Sequence, residues 1–98
     1  MDFYLKVHRT GGEILVAACD KEILGKTLSD GDIEIKVNSS FYGLELCSKE
    51  TLSQALKECS LANLLGDKVV EHAIGKGLID KKNVCIVGGV KHAQIVCF

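Results

Sequence analysis

Residues 88–94, with the sequence GGVKHAQ, hold the densest group of side chains that could bind a ligand. Paired glycines let a backbone come close to a bound molecule, because they carry no Cβ atom. Lys91, His92 and Gln94 add a positive charge, a titratable donor and an amide, and on a strand the last two share one face. The alternative is a tight hairpin whose polar side chains only face solvent. We predict a ligand-binding site formed by Gly88, Gly89, Lys91, His92 and Gln94.

The lysines are unevenly distributed along the chain. Residues 1–74 carry eight Lys or Arg against twelve Asp or Glu, a net charge of −4, whereas residues 75–98 carry four lysines against one aspartate, a net charge of +3. A local basic patch can attract phosphate groups even though the whole chain has a net charge of −1. We therefore add Lys81 and Lys82 to the predicted ligand-binding residues. The alternative is that short loops place these lysines in water for solubility.

The five cysteines show no spacing typical of a metal site or of a catalytic thiol. A structural zinc site needs close-spaced ligands such as C-x-x-C, and none is present. An odd number of cysteines in apolar surroundings favours reduced side chains that pack like small hydrophobes, with Cys59 and Cys85 at core positions. His72 is predicted on the polar, solvated side of its helix. We therefore expect no metal, no cofactor and no catalytic residue.

Length and composition indicate one compact domain over residues 1–98. Hydrophobic residues make up 47% of the chain and charged residues 26%, which is ordinary for a folded globular protein. No apolar run reaches the roughly eighteen residues of a membrane span. Charged residues between Asp2 and Arg9 interrupt any apolar core of a signal peptide. We expect a cytoplasmic protein with no membrane partner.

Two helices are predicted between Ser48 and Gly77. Ser48 is a good N-cap residue, and an apolar stripe at helical spacing follows it as far as Ser60. A second stripe runs from Leu61 to Ile74 and ends against glycines, which can close a helix. Both stripes need an apolar partner. Leu56 in the first stripe and Val69 in the second are therefore predicted to be buried.

The rest of the chain reads as strands and turns. Residues 2–9 alternate like a half-buried strand, and 13–19 are apolar on both sides, so these two form a hairpin with a central strand. Asp20 is predicted to cap a short helical turn, residues 29–32 to form a turn, 33–37 a strand and 41–46 a short edge strand. Two interior strands, 84–87 and 93–98, close the chain. Grouped strands and helices of this kind predict an α+β domain, with a mostly antiparallel sheet and two helices on one face.

The chain also resembles a known protein family. The resemblance rests on GLIDKKNVCIVGGVKHAQ at 77–94, LANLLG at 61–66, FYG at 41–43, and GGEILVAACD followed by LGKT near the start. These segments resemble an uncharacterised archaeal family, domain of unknown function 424. The resemblance implies an archaeal, intracellular protein, and it carries no activity, cofactor or catalytic residue to this chain.

Three functions remain open from the sequence. The leading hypothesis is a non-enzymatic binding module for RNA or a ribonucleoprotein, which rests on the basic final quarter and the glycine-rich hairpin. Against it, a single arginine argues against base readout, and the few aromatic residues lie mostly away from the lysines. The second hypothesis is a small enzyme or metabolite-binding protein that uses a pocket near His92 with Tyr42 or a carboxylate. The third is a structural homodimer that pairs through an exposed sheet edge.

Overall fold

A computed structural model describes residues 1–96 of the chain. Within this range, the chain forms a single α+β domain, as the sequence predicted. The elements are β1 Phe3–Thr10, β2 Glu13–Asp20, β3 Thr27–Asp30, β4 Ile33–Lys36, α1 Ser39–Tyr42, β5 Leu46–Cys47, α2 Lys49–Glu58, β6 Leu61–Leu65, α3 Asp67–Gly75, β7 Cys85–Val87 and β8 Val90–Val96. Among the described helices, none combines the length and the apolar character of a membrane-spanning segment.

Six strands form the main sheet, in the order β5-β1-β2-β6-β8-β7. The β2–β6 pair is parallel, and the other neighbouring strands are antiparallel. The β1–β2 hairpin turns at Gly11-Gly12, as predicted, and the strands β3 and β4 form a separate two-stranded sheet. The mostly antiparallel sheet expected from the sequence is therefore confirmed.

One face of the main sheet is covered by α2 and α3. Val16, Ala18 and Leu64 point from the strands into this core, and each of them is at most 1% exposed. Leu56 of α2 and Val69 of α3 belong to the same core and are also buried. Burial of apolar side chains contributes most of the favourable free energy of folding, and here it holds the two helices against the sheet. The prediction of two helices packed on one face is confirmed.

The opposite face is covered by the β3–β4 sheet and α1. Ala17 and Cys19 of β2 and Leu65 of β6 pack there against Leu28 and Tyr42. Strand β2 is therefore buried from both sides, which explains why its sequence is apolar from Ile14 to Cys19.

The chain from Leu61 to Ile74 is not one helix, and that prediction was wrong. Leu61–Leu65 is the strand β6, which lies between β2 and β8 in the centre of the sheet. Ala62 faces the core under the helices and Leu65 faces the other core. A short strand buried on both sides carries apolar residues at a spacing that a helix also shows, so periodicity alone does not separate the two.

The junction between β6 and α3 depends on Asp20 and Gly66. The carboxylate of Asp20 accepts hydrogen bonds from the backbone N–H groups of Lys68 at 2.9 Å and Val69 at 2.8 Å, in the first turn of α3. Gly66 has a φ of +127°, and a Cβ atom there would lie 2.3 Å from Asp20 Cγ. The side chain of Asp20 therefore caps α3 and not the short 3₁₀ turn that directly follows it, which corrects the prediction.

Strand β3 was missed, because its residues Ser29 and Asp30 were assigned to a turn that comprises only Gly31 and Asp32. The predicted edge strand 41–46 is also corrected. Residues 39–42 form the helical turn α1, and the edge strand is Leu46–Cys47.

Strand β7 was predicted inside the sheet, but it lies at the edge. Cys85 is consequently exposed rather than in the core, whereas Cys19, Cys47 and Cys59 are buried. The final strand begins at Val90, earlier than predicted, and is described as far as Val96. The last two residues of the predicted strand, Cys97 and Phe98, lie outside the described residues.

A candidate anion-binding groove

The glycines of the C-terminal hairpin have structural roles. Gly88 and Gly89 connect β7 to β8 with φ values of +56° and +84°, the left-handed geometry that a two-residue hairpin turn requires. A Cβ atom on Gly88 would lie 2.7 Å from Leu28 Cβ, so the turn also packs closely against β3. These two requirements account for the glycine pair without a ligand.

The structure places Lys91 on the opposite face of β8 from His92 and Gln94. The ammonium group of Lys91 is ion-paired with Glu71, and that hydrogen bond raises the pKa of Lys91. Its backbone N–H donates to Asp67 Oδ1 at 2.9 Å. His92 and Gln94 do share a face, as predicted, because alternate residues of a strand point the same way.

His92 pairs across the hairpin with Cys85, and its Nδ1 lies 3.5 Å from Cys85 Sγ. Burial lowers the pKa of His92. Tyr42 was suggested from the sequence as a partner of His92 in a pocket. Its hydroxyl donates a hydrogen bond to Asn63 Oδ1 at 2.9 Å. The binding role assigned to the hairpin residues stays a prediction.

Lys81 and Lys82 lie in the exposed 3₁₀ turn Lys81–Asn83. Asp80 caps this turn, because its Oδ1 accepts a hydrogen bond from the backbone N–H of Lys82 at 3.1 Å. The ammonium of Lys82 is 3.9 Å from Asp80 Oδ2, a loose and exposed pair. Of the two lysines in this turn, Lys82 thus has a carboxylate beside it.

A groove of about 500 Å³ lies between α2 and α3, on the helical side of the sheet. Ser48 begins α2 by accepting a hydrogen bond from the backbone N–H of Thr51 at 3.1 Å. Successive turns of α2 then bring every fourth residue to the same face, and α3 does so across the groove. The groove is lined by Lys49, Glu50, Ser53, Gln54, Lys57, His72 and Lys76.

Ser53 and His72 meet in this groove. Ser53 Oγ lies 2.8 Å from His72 Nε2, in a hydrogen bond whose donor depends on the imidazole tautomer. Desolvation lowers the pKa of His72, and the neighbouring charges of Lys76 and Lys49 lower it further, while Glu50 opposes them. Because its pKa lies below the ordinary value of 6.5, His72 is mainly neutral at neutral pH.

The lysines of the groove have no carboxylate partner. Within the described part of the chain, none of Lys49, Lys57 and Lys76 forms an ion pair, whereas Lys68 is 2.7 Å from Glu22. The side-chain amide of Gln54 donates a hydrogen bond from Nε2 to Glu58 Oε1 at 2.7 Å. The lining residues carry three lysines against one glutamate, so the groove has a net charge of +2 with a neutral His72. Such a site attracts an anion.

Sequence reasoning missed this groove. It predicted His72 as a solvated side chain, but His72 is half-buried and faces α2. The sequence carried one signal for the groove. Lys49, Ser53 and Lys57 are spaced four residues apart, and so are His72 and Lys76. Spacing shows that these side chains share helix faces. It does not show that the two faces meet.

Neither the described residues that could hold a metal nor the comparisons with known proteins point to a particular reaction. Among residues 1–96, no group of three or more His, Cys, Asp or Glu residues is placed to hold a metal ion. A search of curated proteins finds no match. The structure is similar to the crystal structure of an uncharacterized conserved protein from Methanopyrus kandleri, with a TM-score of 0.83 and 23% sequence identity, over 100% of this chain and 95% of that chain.

That similarity shows the fold alone, because the identity is low. The family is shown by the sequence itself. A family model described as "Protein of unknown function (DUF424)" matches residues 8–98. The chain therefore belongs to this family, as its resemblance indicated.

Proposed function

We propose that the protein is a non-enzymatic binding module for RNA, and that the groove between α2 and α3 holds RNA phosphate. The observation that carries the proposal is the presence of three unpaired lysines around a single groove. Lysine ammonium groups act on phosphates as mobile point charges, and they need no fixed bidentate geometry. Because the chain as a whole has a net charge of −1, the attraction comes from this local group of lysines and not from the overall charge.

The composition of the groove favours binding that tolerates many RNA sequences. The only arginine of the chain, Arg9, is not among the residues that line it, so the usual bidentate reader of guanine is missing from the site. No Phe, Tyr or Trp side chain is among the described residues that line it, so base stacking on these rings does not contribute within the groove. Affinity then comes from phosphate contacts and falls steeply as salt is added.

The groove is a better phosphate site than the C-terminal hairpin. A lysine that already contacts a carboxylate has to give up that contact, or share it, before it can neutralise a phosphate. Lys91 contacts Glu71, and Lys82 has Asp80 beside it, whereas Lys49, Lys57 and Lys76 are available. Of the four lysines in residues 75–98, Lys76 and Lys81 form no ion pair in the described part of the chain, and of these two Lys76 lies in one groove with lysines of α2.

The salt dependence of RNA binding tests this proposal. The probe is a fluorescent 20-nucleotide single-stranded RNA, whose anisotropy is titrated between 50 and 200 mM salt. The triple variant Lys49→Gln, Lys57→Gln, Lys76→Gln is compared with Lys21→Gln, Lys26→Gln, Lys36→Gln, which makes the same charge change at exposed lysines outside the groove. Each lost phosphate contact lowers the slope of log K against log salt by about 0.7, so we expect a loss of about 2 for the groove variant.

The control triple variant should keep nearly the wild-type slope. A third variant, Lys81→Gln with Lys82→Gln, tests the residues predicted from the sequence. Equal slopes for the groove and control variants would overturn the proposal. A loss confined to the Lys81 and Lys82 variant would move the binding site to the basic 3₁₀ turn.

A further inference from the structure

We propose that the groove selects a terminal phosphomonoester, such as the 5′-phosphate of an RNA chain, over the phosphodiesters within the chain. The inference rests on the proposed function for the location of the site, and it adds which phosphate the site takes. The ligand chemistry is a phosphate attached through one oxygen only. A free nucleotide offers the same group as an RNA end, and the experiment below separates the two sources.

The first argument is the convergence of charge. Lys49 and Lys57 lie one turn before and one turn after Ser53 on α2, and Lys76 lies four residues after His72, at the C-cap of α3. The three lysines therefore line the same groove as one hydrogen-bonded pair, Ser53 and His72. A phosphomonoester carries a charge of about −1.5 to −2 at pH 7, and this matches the net charge of +2 in the groove.

The second argument is the pair of hydrogen-bonding groups at the centre. Ser53 Oγ and His72 Nε2 are 2.8 Å apart, close enough to contact the same phosphate. A terminal phosphate has three strong acceptor oxygens, so it can accept from both groups and still face the lysines. Without an anion the two groups satisfy each other, which keeps the half-buried imidazole from losing a hydrogen bond.

The third argument is the position of Glu50. This carboxylate lines the groove one turn from Ser53, among the lysines, and it lowers the local positive charge on one side. A continuous RNA backbone would have to bring further phosphates past it, at a cost in repulsion. A chain that ends in the groove avoids that repulsion. Glu50 therefore disfavours internal phosphates more than a terminal one.

The test compares two RNA oligonucleotides of one sequence, with a 5′-phosphate or a 5′-hydroxyl. Hydrogen bonds to a charged phosphate are stronger than those between neutral groups, so we expect the phosphorylated RNA to bind roughly tenfold more tightly or better. Ser53→Ala and His72→Leu should each remove most of that preference, because they weaken binding of the 5′-phosphorylated RNA more than binding of the 5′-hydroxyl RNA. Ser53→Thr restores the hydroxyl and should retain the preference. Ser40→Ala, at an exposed serine outside the groove, is the control.

The outcomes separate this inference from the proposed function. Equal affinities for the two RNAs, with a salt slope that still depends on the groove lysines, overturn terminal selectivity and leave RNA binding standing. If neither RNA binds, the probes become adenosine 5′-monophosphate and adenosine, followed by the amide NMR signals of α2 and α3. Binding of the monophosphate alone, lost in Ser53→Ala and His72→Leu, supports the phosphomonoester site and assigns it to a free nucleotide. Binding of neither probe overturns the inference.

Discussion

The α2–α3 groove and the C-terminal hairpin contain the same kinds of side chain, yet the fold leaves them in different electrostatic states. Both hold lysine and histidine within a short distance along the chain. In the hairpin, Glu71 forms an ion pair with Lys91, and His92 lies on the opposite face of the strand from Lys91. In the groove, His72 and the lysines converge, and a single carboxylate lies among them. A cluster of functional residues becomes a binding site only if its charge is still available after folding.

The largest expected effect concerns the core between the two helices and the sheet. Leu56→Ala removes a side chain that is 2% exposed and packs under α2, so it should lower the free energy of unfolding by about 2 to 5 kcal/mol. Val69→Ala, on the facing helix, should cost somewhat less. Chemical denaturation measured by circular dichroism gives both values. Unchanged denaturant midpoints would mean that the two helices do not bury these faces.

The next effect concerns the hairpin turn. Gly88→Ala places a Cβ atom 2.7 Å from Leu28 Cβ at a backbone φ of +56°, so strain and a close contact act together. Left-handed backbone costs a residue with a Cβ atom about 1 to 2 kcal/mol, and the contact adds to it. Gly11→Ala is a matched control, because it has a similar φ and open space around its Cβ position. Equal losses in the two variants would show that the contact with β3 contributes nothing.

The strands show where sequence reasoning succeeds and where it fails. The alternation in β1 and the apolar run of β2 predicted a hairpin with a central strand, because the period of two is a local property. Strand β6 was assigned to a helix, since its burial on both faces depends on β2 and β8, which are distant in sequence. Asp20 was assigned to the nearest turn, although its partners lie 48 and 49 residues further along the chain.

The prediction of the candidate site from the sequence failed for the same physical reason. Helical spacing predicts which side chains share a face, and it places Lys49, Ser53 and Lys57 together. It does not reveal that His72 lies across from Ser53, or that Glu71 neutralises Lys91. Both facts are tertiary contacts between elements that propensity and periodicity treat separately.

A smaller effect is expected for the pH dependence of stability. Burial and the adjacent lysines hold the pKa of His72 below its ordinary value of 6.5, so the folded state favours the neutral imidazole. This contribution to stability is fully present above pH 6.5 and is lost as the pH falls through the lower folded-state pKa. The wild-type protein should therefore lose more stability than His72→Leu in this acidic range. Parallel denaturation series at pH 7.5, 6.5 and 5.5 measure the difference, and coincident pH profiles would contradict it.

The smallest effect is expected for Lys91→Ala. Its ion pair with Glu71 is largely exposed, and pairs of this kind contribute little to stability. The variant should unfold at almost the wild-type denaturant concentration and bind RNA with the wild-type salt slope. A clear loss of RNA affinity would instead make the hairpin part of the binding site and remove the contrast between the two regions.

The most direct test of the central claim maps an anionic ligand onto both regions at once. The measurement is a titration of isotopically labelled protein with 5′-phosphorylated single-stranded RNA, followed by amide chemical shifts in two-dimensional NMR spectra. We expect saturable shifts at Lys49, Ser53, Lys57, His72 and Lys76, and small shifts at Gly88, Gly89, His92 and Gln94. The opposite pattern, with shifts concentrated in the hairpin while the α2 and α3 signals stay in place, would contradict the assignment of the groove as the binding site.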